Sequence, residues 1–289
     1  MISYQKSLVA IFELFKPRII PLVLITTFGG MWLTPMPLVP LRVLTILGWV
    51  FLLVAGANAI NMYLERDLDR LMTRTADRPL PTQRIPSALA LWIGLILSII
   101  AVFAMMEWVN PITGLLAAIS LLLYTTVYTP LKRKTPLALW IGAVPGAMPA
   151  WLGWTALTHR LDLQGLSLFA ILYIWQIPHF LAISIFRKEE YFKAGIKVMP
   201  LTQGNMATCY QMIPYAFIQI PISLMPAPLG LVGRFYFIAA LILGIIFFGY
   251  TCLGIKNQGN AVWARRCFFL SIIYLPLLYA ALVVDRFLQ

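Results

Sequence analysis

Charged side chains are scarce in this sequence of 289 residues. They make up 11% of the chain, whereas a soluble domain carries about a quarter. Hydrophobic residues make up 61%, and several apolar runs reach the roughly 20 residues that a helix needs to cross a bilayer. The stretches between these runs are too short to form a separate soluble domain. We therefore predict an all-α, polytopic membrane protein with one intramembrane domain over residues 1–289.

Cysteine is also rare. Cys209, Cys252 and Cys267 lie in apolar surroundings, and no two of them have the spacing of a metal site or a redox pair. We interpret them as small packing residues. The amino end is basic, but neither a small-residue cleavage site nor a Ser/Arg-rich transit peptide follows. We therefore expect the chain to lie in a bacterial inner (cytoplasmic) membrane.

Nine apolar segments are predicted to be transmembrane helices. Their predicted limits are 19–37, 41–63, 87–108, 111–129, 136–157, 165–186, 207–228, 233–255 and 267–286. With the amino end inside, 18 of the 22 lysines and arginines fall on the inner side, so the charge pattern predicts an N-in, C-out topology. The net charge of +12 is mostly this topology signal. We therefore expect the lipid bilayer, and no nucleic acid, as a partner.

A polar stripe runs along the second predicted span. Asn58, Asn61, Glu65 and Asp69 have spacings of 3, 4 and 4, so they share one face of a helix that continues to about residue 70, while Asp67 points to the other side. Polar groups at this depth are functional candidates, and amide and carboxylate oxygens suit Mg²⁺. The alternative is a salt-bridged helix end in which Asp67 pairs with an arginine.

Basic residues follow this stripe on the predicted inner side. Arg74 and Arg78 are four residues apart, and their forked donors suit phosphate oxygens. The segment "YTPLKRKTP", which begins at Tyr128, adds Lys132 and Lys134 between spans four and five. These cations predict an anion site on the inner side.

A second polar cluster lies at the inner end of span six. Gln176, His179, Arg187 and Glu190 have spacings of 3, 8 and 3, which predicts one helical face. Trp175 is the best candidate to stabilise a carbocation through its ring face. His179 has three interpretations: a structural hydrogen bond, a general base or a haem-iron ligand. Since spans two and six both end inside, we predict that the two clusters face one compartment.

These motifs together resemble the UbiA-type intramembrane prenyltransferases, and more closely the protoheme IX farnesyltransferase (haem O synthase) branch of that family. The family's first motif, NDxxDxxxD, corresponds here to Asn61, Met62, Glu65 and Asp69. "FKPRI" (15–19), "YTPLKRKTPL", "GAVPGAMPAWLGW", "WQIPHFLA" and "EEYFKAGI" also look like that branch in order and spacing. Glu190 stands where the branch usually has Asp, and Lys197 where it usually has Pro.

The resemblance implies nine helices around a central cavity and a reaction in which farnesyl diphosphate, haem b and water give haem O and diphosphate. The implied Mg²⁺ ligands are Asn61, Glu65, Asp69 and Glu190. The implied diphosphate contacts are Arg74, Arg78, Lys132, Lys134 and Arg187. The implied catalytic residues are Trp175, Gln176 and His179, with Asn58, Asp67 and Tyr128 in support. Haem-handling or terminal-oxidase assembly proteins are the implied protein partners.

Two alternatives remain at this point. The first is prenylation of another aromatic acceptor, such as a quinone precursor, by an enzyme of the same family. The second is a transporter, which also places polar residues in the membrane, although its site should lie near the midplane. Here the charges gather at one surface, which favours the enzyme.

Overall fold

The computed structural model describes residues 2–288, and the side chains of residues 8–288. All regular elements in residues 2–288 are helical, as predicted. In chain order the α-helices are α1 Ile2–Leu14, α2 Ile20–Trp32, α3 Pro40–Asp69, α4 Ser87–Ala104, α5 Pro111–Leu122, α6 Thr129–Leu131, α7 Ala138–Thr158, α8 Leu163–Phe186, α9 Lys188–Lys193, α10 Met199–Thr202, α11 Asn205–Leu224, α12 Arg234–Lys256 and α13 Ala261–Leu288. Two π-helical segments are π1 Met105–Val109 and π2 Leu123–Tyr128.

Each of the nine predicted spans overlaps a helix, and six stretches of residues 2–288 are long enough and apolar enough to cross a membrane. Those six are Pro40–Asp69, Ser87–Val109, Pro111–Leu131, Leu163–Phe186, Arg234–Lys256 and Ala261–Leu288. The chain is therefore a multi-pass membrane protein. The count of nine crossings and the N-in, C-out orientation stay predictions.

Three predicted spans fall outside those six. α2 has 13 residues, or about 20 Å of helix, against the roughly 30 Å of a hydrocarbon core. Its predicted limit at residue 37 is wrong, because Pro35 and Pro37 disfavour helix and α2 ends at Trp32. α7 and α11 are long enough, with 21 and 20 residues, but glycines, prolines and glutamines lower their mean hydropathy.

The chain divides into two compact units, of which the first comprises Met1–Lys134, Met148–Leu161 and Lys193–Ile196. In this unit α3 packs along α4 at two glycines. A Cβ atom at Gly56 would lie 2.4 Å from Ser98 Oγ, and one at Gly94 would lie 2.7 Å from Ile60 Cγ1. Small residues permit this close approach, which is typical of membrane helices. The packing fixes α3, the helix that carries the polar stripe.

The second unit comprises Thr135–Ala147, Asp162–Phe192 and Lys197–Gln289. α8 packs against α11 and α13, and α12 packs against both of these helices. The buried carboxylate of Asp285 accepts hydrogen bonds from the backbone N–H groups of Gly233 and Tyr236, so it caps the start of α12. This packing fixes the segment of α8 that carries Gln176 and His179.

Candidate active site

The polar stripe of α3 is buried, and its four members lie on one face. The predicted continuation of the helix is confirmed, since α3 remains helical to Asp69. Asn58, Asn61, Glu65 and Asp69 are each at most 7% exposed, whereas Asp67 is exposed. Two amides and two carboxylates therefore line one side of a membrane helix, and each needs a polar partner there.

Both asparagines of the stripe have such partners. Asn58 Nδ2 donates to the carbonyl oxygen of Phe15 at 2.9 Å. Asn61 Nδ2 donates to Glu65 Oε1 and, at 3.0 Å, to Thr129 Oγ1. The stripe is therefore hydrogen-bonded both along α3 and to the segment that follows π2.

Each carboxylate of the stripe faces a cation. Lys132 Nζ lies 2.5 Å from Glu65 Oε1. Arg78 Nη1 donates to both carboxylate oxygens of Asp69, at 2.9 and 3.0 Å. The Thr75 hydroxyl donates to the Asp69 carbonyl oxygen at 2.9 Å and ties the loop that carries Arg78 to the end of α3. Two predicted phosphate contacts, Arg78 and Lys132, thus lie at the stripe.

A third cation, Lys16, reaches the stripe from the segment between α1 and α2. Its backbone φ of 53° is in the left-handed region, and its Nζ donates to Asn61 Oδ1 at 2.5 Å. Burial lowers the pKa of the Lys16 ammonium from 10.5 to about 8, while nearby Glu65 raises this pKa and Arg78 lowers it. Lys16 is therefore charged at neutral pH and loses its charge in mildly alkaline solution.

The segment from π2 to α6 completes the surroundings of the stripe. The rings of Tyr124 and Tyr128 stack with centroids 5.9 Å apart, and Lys132 Nζ lies 5.9 Å from the Tyr128 centroid. Thr129 Oγ1 donates to the Tyr124 carbonyl oxygen at 2.8 Å, so its lone pairs are free to accept from Asn61. π-Helical turns frequently mark functional sites.

The charges at the stripe leave a positive excess. Three cations, Lys16, Arg78 and Lys132, face the two carboxylates of Glu65 and Asp69. A positive excess among partly buried groups attracts anions. The two other predicted phosphate contacts of this unit, Arg74 and Lys134, are exposed.

In the second unit, Trp175 and His179 form a stacked pair on α8. Their ring centroids are 4.7 Å apart with an interplanar angle of 26°. Trp175 Nε1 donates to the Ser271 carbonyl oxygen at 2.8 Å, and His179 Nδ1 lies 2.7 Å from Ser271 Oγ. Gln176 packs closely against Gly146, since a Cβ atom added at Gly146 would lie 2.1 Å from Gln176 Oε1. One face of the Trp175 ring is thus covered by His179.

The prediction that Gln176, His179, Arg187 and Glu190 share one helical face is wrong. α8 ends at Phe186, and Glu190 lies on the separate helix α9, because Arg187 leaves the helical conformation with φ −109° and ψ 19°. Arg187 Nη1 nevertheless pairs with Glu190 Oε1 at 2.6 Å. That this cluster and the α3 stripe face one compartment stays a prediction.

The donor chemistry fits magnesium. Asn61, Glu65 and Asp69 supply hard oxygens on one face of α3. In the second unit, taken by itself, Glu190 Oε2 is buried without a hydrogen-bond partner among the described residues. Over residues 8–288, no three side chains of histidine, cysteine, aspartate or glutamate form a group that could hold a metal ion. A magnesium ion at the stripe would therefore depend on the asparagine oxygen, water and phosphate oxygens, as is usual for this ion.

Three residues at these clusters were not predicted as site residues. Lys16 belongs to the basic residues that predict the topology and lies within "FKPRI", but the sequence alone does not indicate that it contacts the stripe. Thr129 lies within the noted "YTPLKRKTPL", but its hydroxyl carried no signal of its own. Ser271 lies in span nine, outside every motif that carries the resemblance, so nothing local marks it.

Comparison with known proteins shows the family of the chain. The chain matches the UbiA prenyltransferase family over residues 23–273. It belongs to that family. Among UbiA relatives, the protoheme IX farnesyltransferase of Sorangium cellulosum (strain So ce56) is 50% identical over 83% of this chain and 86% of its own length. The protoheme IX farnesyltransferase of Myxococcus xanthus (strain DK1622) is 44% identical over 95% of this chain and 93% of its own.

Solved structures share the UbiA fold. A digeranylgeranylglyceryl phosphate synthase superposes with a TM-score of 0.84 at 20% identity, covering 96% of this chain and 98% of that one. A UbiA homologue from Archaeoglobus fulgidus bound to DMAPP and Mg²⁺ gives a TM-score of 0.64 at 17% identity, covering 95% and 99%. At these identities the likeness shows the fold alone.

Proposed function

We propose that this protein is a protoheme IX farnesyltransferase. It transfers the farnesyl group of farnesyl diphosphate to the vinyl group of haem b, adds water to give haem O, and releases diphosphate. The single observation that best supports binding of the diphosphate is that three cations, Lys16, Arg78 and Lys132, contact the buried stripe of α3. The identities to relatives that bear this name support the choice of haem as acceptor.

The cations of the first unit act on the leaving group. The bond between farnesyl carbon and diphosphate oxygen breaks with negative charge growing on the diphosphate, and donors already in place stabilise that charge. Lys132, Arg78 and Lys16 are held at the stripe by Glu65, Asp69 and Asn61.

Magnesium is the proposed cofactor, held by Asn61, Glu65 and Asp69, with Glu190 as a further proposed ligand. When bound, it supplies charge neutralisation that makes diphosphate a better leaving group. The UbiA homologue bound to DMAPP and Mg²⁺ supports this proposal, as does the oxygen character of the ligands.

The pair of Trp175 and His179 is proposed to act on the acceptor. The new bond joins the farnesyl cation to the terminal vinyl carbon of haem b, and a water oxygen then bonds to the neighbouring carbon and loses a proton. His179 either holds the haem iron or receives that proton. Both roles need an unprotonated ring nitrogen.

The proposed location is the inner membrane of a bacterium, with nine helices, N-in and C-out, and the active site on the cytoplasmic side. The distribution of basic residues supports this orientation. Residues 1–289 are proposed to form one prenyltransferase domain, and haem-handling or terminal-oxidase assembly proteins are proposed partners.

The test is a product assay on the purified full chain in lipid nanodiscs, with Mg²⁺, labelled farnesyl diphosphate and haem b. We expect labelled haem whose mass has increased by one farnesyl group and one hydroxyl group, together with one diphosphate per product. 4-Hydroxybenzoate, offered alone, should stay unlabelled. Asp77→Asn, which changes an exposed carboxylate off the stripe, serves as the control for stripe variants.

Two results would contradict the proposal in different ways. Label on 4-hydroxybenzoate but none on haem would assign the protein to another acceptor within the same family. Uptake of substrate into sealed vesicles, with no release of diphosphate in the presence of Mg²⁺, would indicate a transporter instead.

A further inference from the structure

His179 packs against three aromatic rings of the second unit. Trp175 stacks on it, the Phe268 ring lies 4.9 Å away at 38°, and the Phe180 ring meets it edge-on at 5.2 Å. Its polar contact is between Nδ1 and Ser271 Oγ, at 2.7 Å. Among the residues that the structure describes, no side chain or backbone group is hydrogen-bonded to Nε2.

The direction of the bond between His179 and Ser271 follows from the second contact of the hydroxyl. Ser271 Oγ lies 2.6 Å from the carbonyl oxygen of Phe268, and a carbonyl oxygen can only accept. The single hydroxyl proton therefore points to Phe268, and Ser271 Oγ must accept from His179. That requires the imidazole proton to be on Nδ1, and since a neutral imidazole has one N–H group, Nε2 is then unprotonated.

We infer that Ser271 is a positioning residue that holds His179 in the tautomer with the proton on Nδ1, and so keeps the Nε2 lone pair available to the acceptor. This inference rests on the proposed function for its catalytic meaning. An iron ligand and a general base both use that lone pair, so the inference holds for either role of His179.

The same residue also fixes the ring that stacks on His179. The backbone carbonyl of Ser271 accepts from Trp175 Nε1 at 2.8 Å, and the Ser271 side chain is fully buried. One turn of α13 thus holds the imidazole by its Nδ1 and the indole by its N–H. Groups that orient an imidazole in this way typically change activity or metal affinity by about 10–100-fold when they are removed.

The tautomer can be measured directly, because the chain contains only two histidines, His159 and His179. The full chain, labelled with ¹⁵N-histidine and reconstituted in nanodiscs, gives two pairs of ring-nitrogen signals, and His159→Gln assigns them. For His179 we expect a protonated Nδ1 and an unprotonated Nε2. Ser271→Ala should mix the two tautomers, and Ser271→Thr, which keeps the hydroxyl, should restore the wild-type pattern.

Ser184→Ala is the matched control. The Ser184 hydroxyl is also buried and also donates to a helix carbonyl, that of Leu181 at 2.7 Å, but it is not the hydroxyl that is hydrogen-bonded to His179. We expect Ser271→Ala to lower kcat for haem b by about 10–100-fold. Ser271→Thr should stay within a few-fold of wild type, and Ser184→Ala should leave both kcat and the nitrogen spectrum unchanged.

Several results would overturn the inference. They are a wild-type His179 protonated on Nε2, a Ser271→Ala spectrum identical to wild type, and an equal loss of kcat in Ser184→Ala. If the wild type does not farnesylate haem b at all, the proposed function fails, while the nitrogen spectrum still decides the tautomer.

Discussion

The charge on Lys16 should set the alkaline limit of the reaction. With a pKa of about 8, the protonated fraction of this side chain falls from about nine-tenths at pH 7 to about one-tenth at pH 9. Because only the ammonium form attracts diphosphate, kcat/KM for farnesyl diphosphate should fall about tenfold per pH unit above pH 8. The quantity to follow is kcat/KM, since it reports the free enzyme.

The titration of Lys16 should make the folded protein more stable above pH 8, where the activity falls. The folded-state pKa of Lys16 lies below the ordinary value of 10.5, so between pH 8 and 10.5 the unfolded chain binds more protons than the folded one. The free energy of unfolding therefore rises with pH across this window, by at most about 3 kcal/mol from this group. The loss of the proton from Lys16 therefore does not itself favour unfolding above pH 8.

The assay compares three variants from pH 6.5 to 9 at saturating Mg²⁺ and haem b. Lys16→Gln should have a low, flat profile, and Lys16→Arg should keep activity at pH 9, because an arginine stays charged. Arg18→Gln, which changes a neighbouring exposed cation, should follow the wild type. An alkaline fall of the same size in Lys16→Arg as in the wild type would refute the reasoning.

Three further predictions concern the stripe. Asp69→Asn should abolish turnover while the protein stays folded by circular dichroism, because the amide still accepts from Arg78 but carries no charge; wild-type turnover would remove Asp69 from the site. Lys132→Gln should raise KM for farnesyl diphosphate by about 10- to 150-fold, since a bond to a charged group contributes about 1.5–3 kcal/mol; an unchanged KM would exclude a phosphate contact. Thr129→Val should lower the free energy of unfolding by about 1 kcal/mol in a denaturant titration, because Asn61 loses an acceptor, and no loss would make that bond negligible.

The location of the stripe could be predicted because one helix carries all of it. Spacings of 3, 4 and 4 place Asn58, Asn61, Glu65 and Asp69 on one face wherever α3 is helical, and the helix continues to Asp69. Such a prediction needs only local geometry. The burial of these residues beside cations is what the structure adds.

Contacts between distant segments could not be predicted in the same way. Lys16 donates to Asn61, which lies 45 positions away in the sequence. The left-handed backbone conformation of Lys16 is not predicted by any simple signal in "FKPRI". Ser271 reaches His179 across 92 positions. The break after Phe186 was missed because nothing in "FRKEEYF" stops a helix strongly, so the continuous face to Glu190 was wrong.

The central claim is that the cation-lined stripe of α3 binds a magnesium-bound diphosphate. Isothermal titration of inorganic diphosphate into the reconstituted protein, with and without Mg²⁺, tests it most directly. We predict Mg²⁺-dependent binding to the wild type and to Asp77→Asn, and at least about 100-fold weaker binding to the double variant Glu65→Gln, Asp69→Asn, from the loss of two charged ligands. The claim would be contradicted if the double variant bound diphosphate as tightly as the wild type, or if binding to the wild type were the same with and without Mg²⁺.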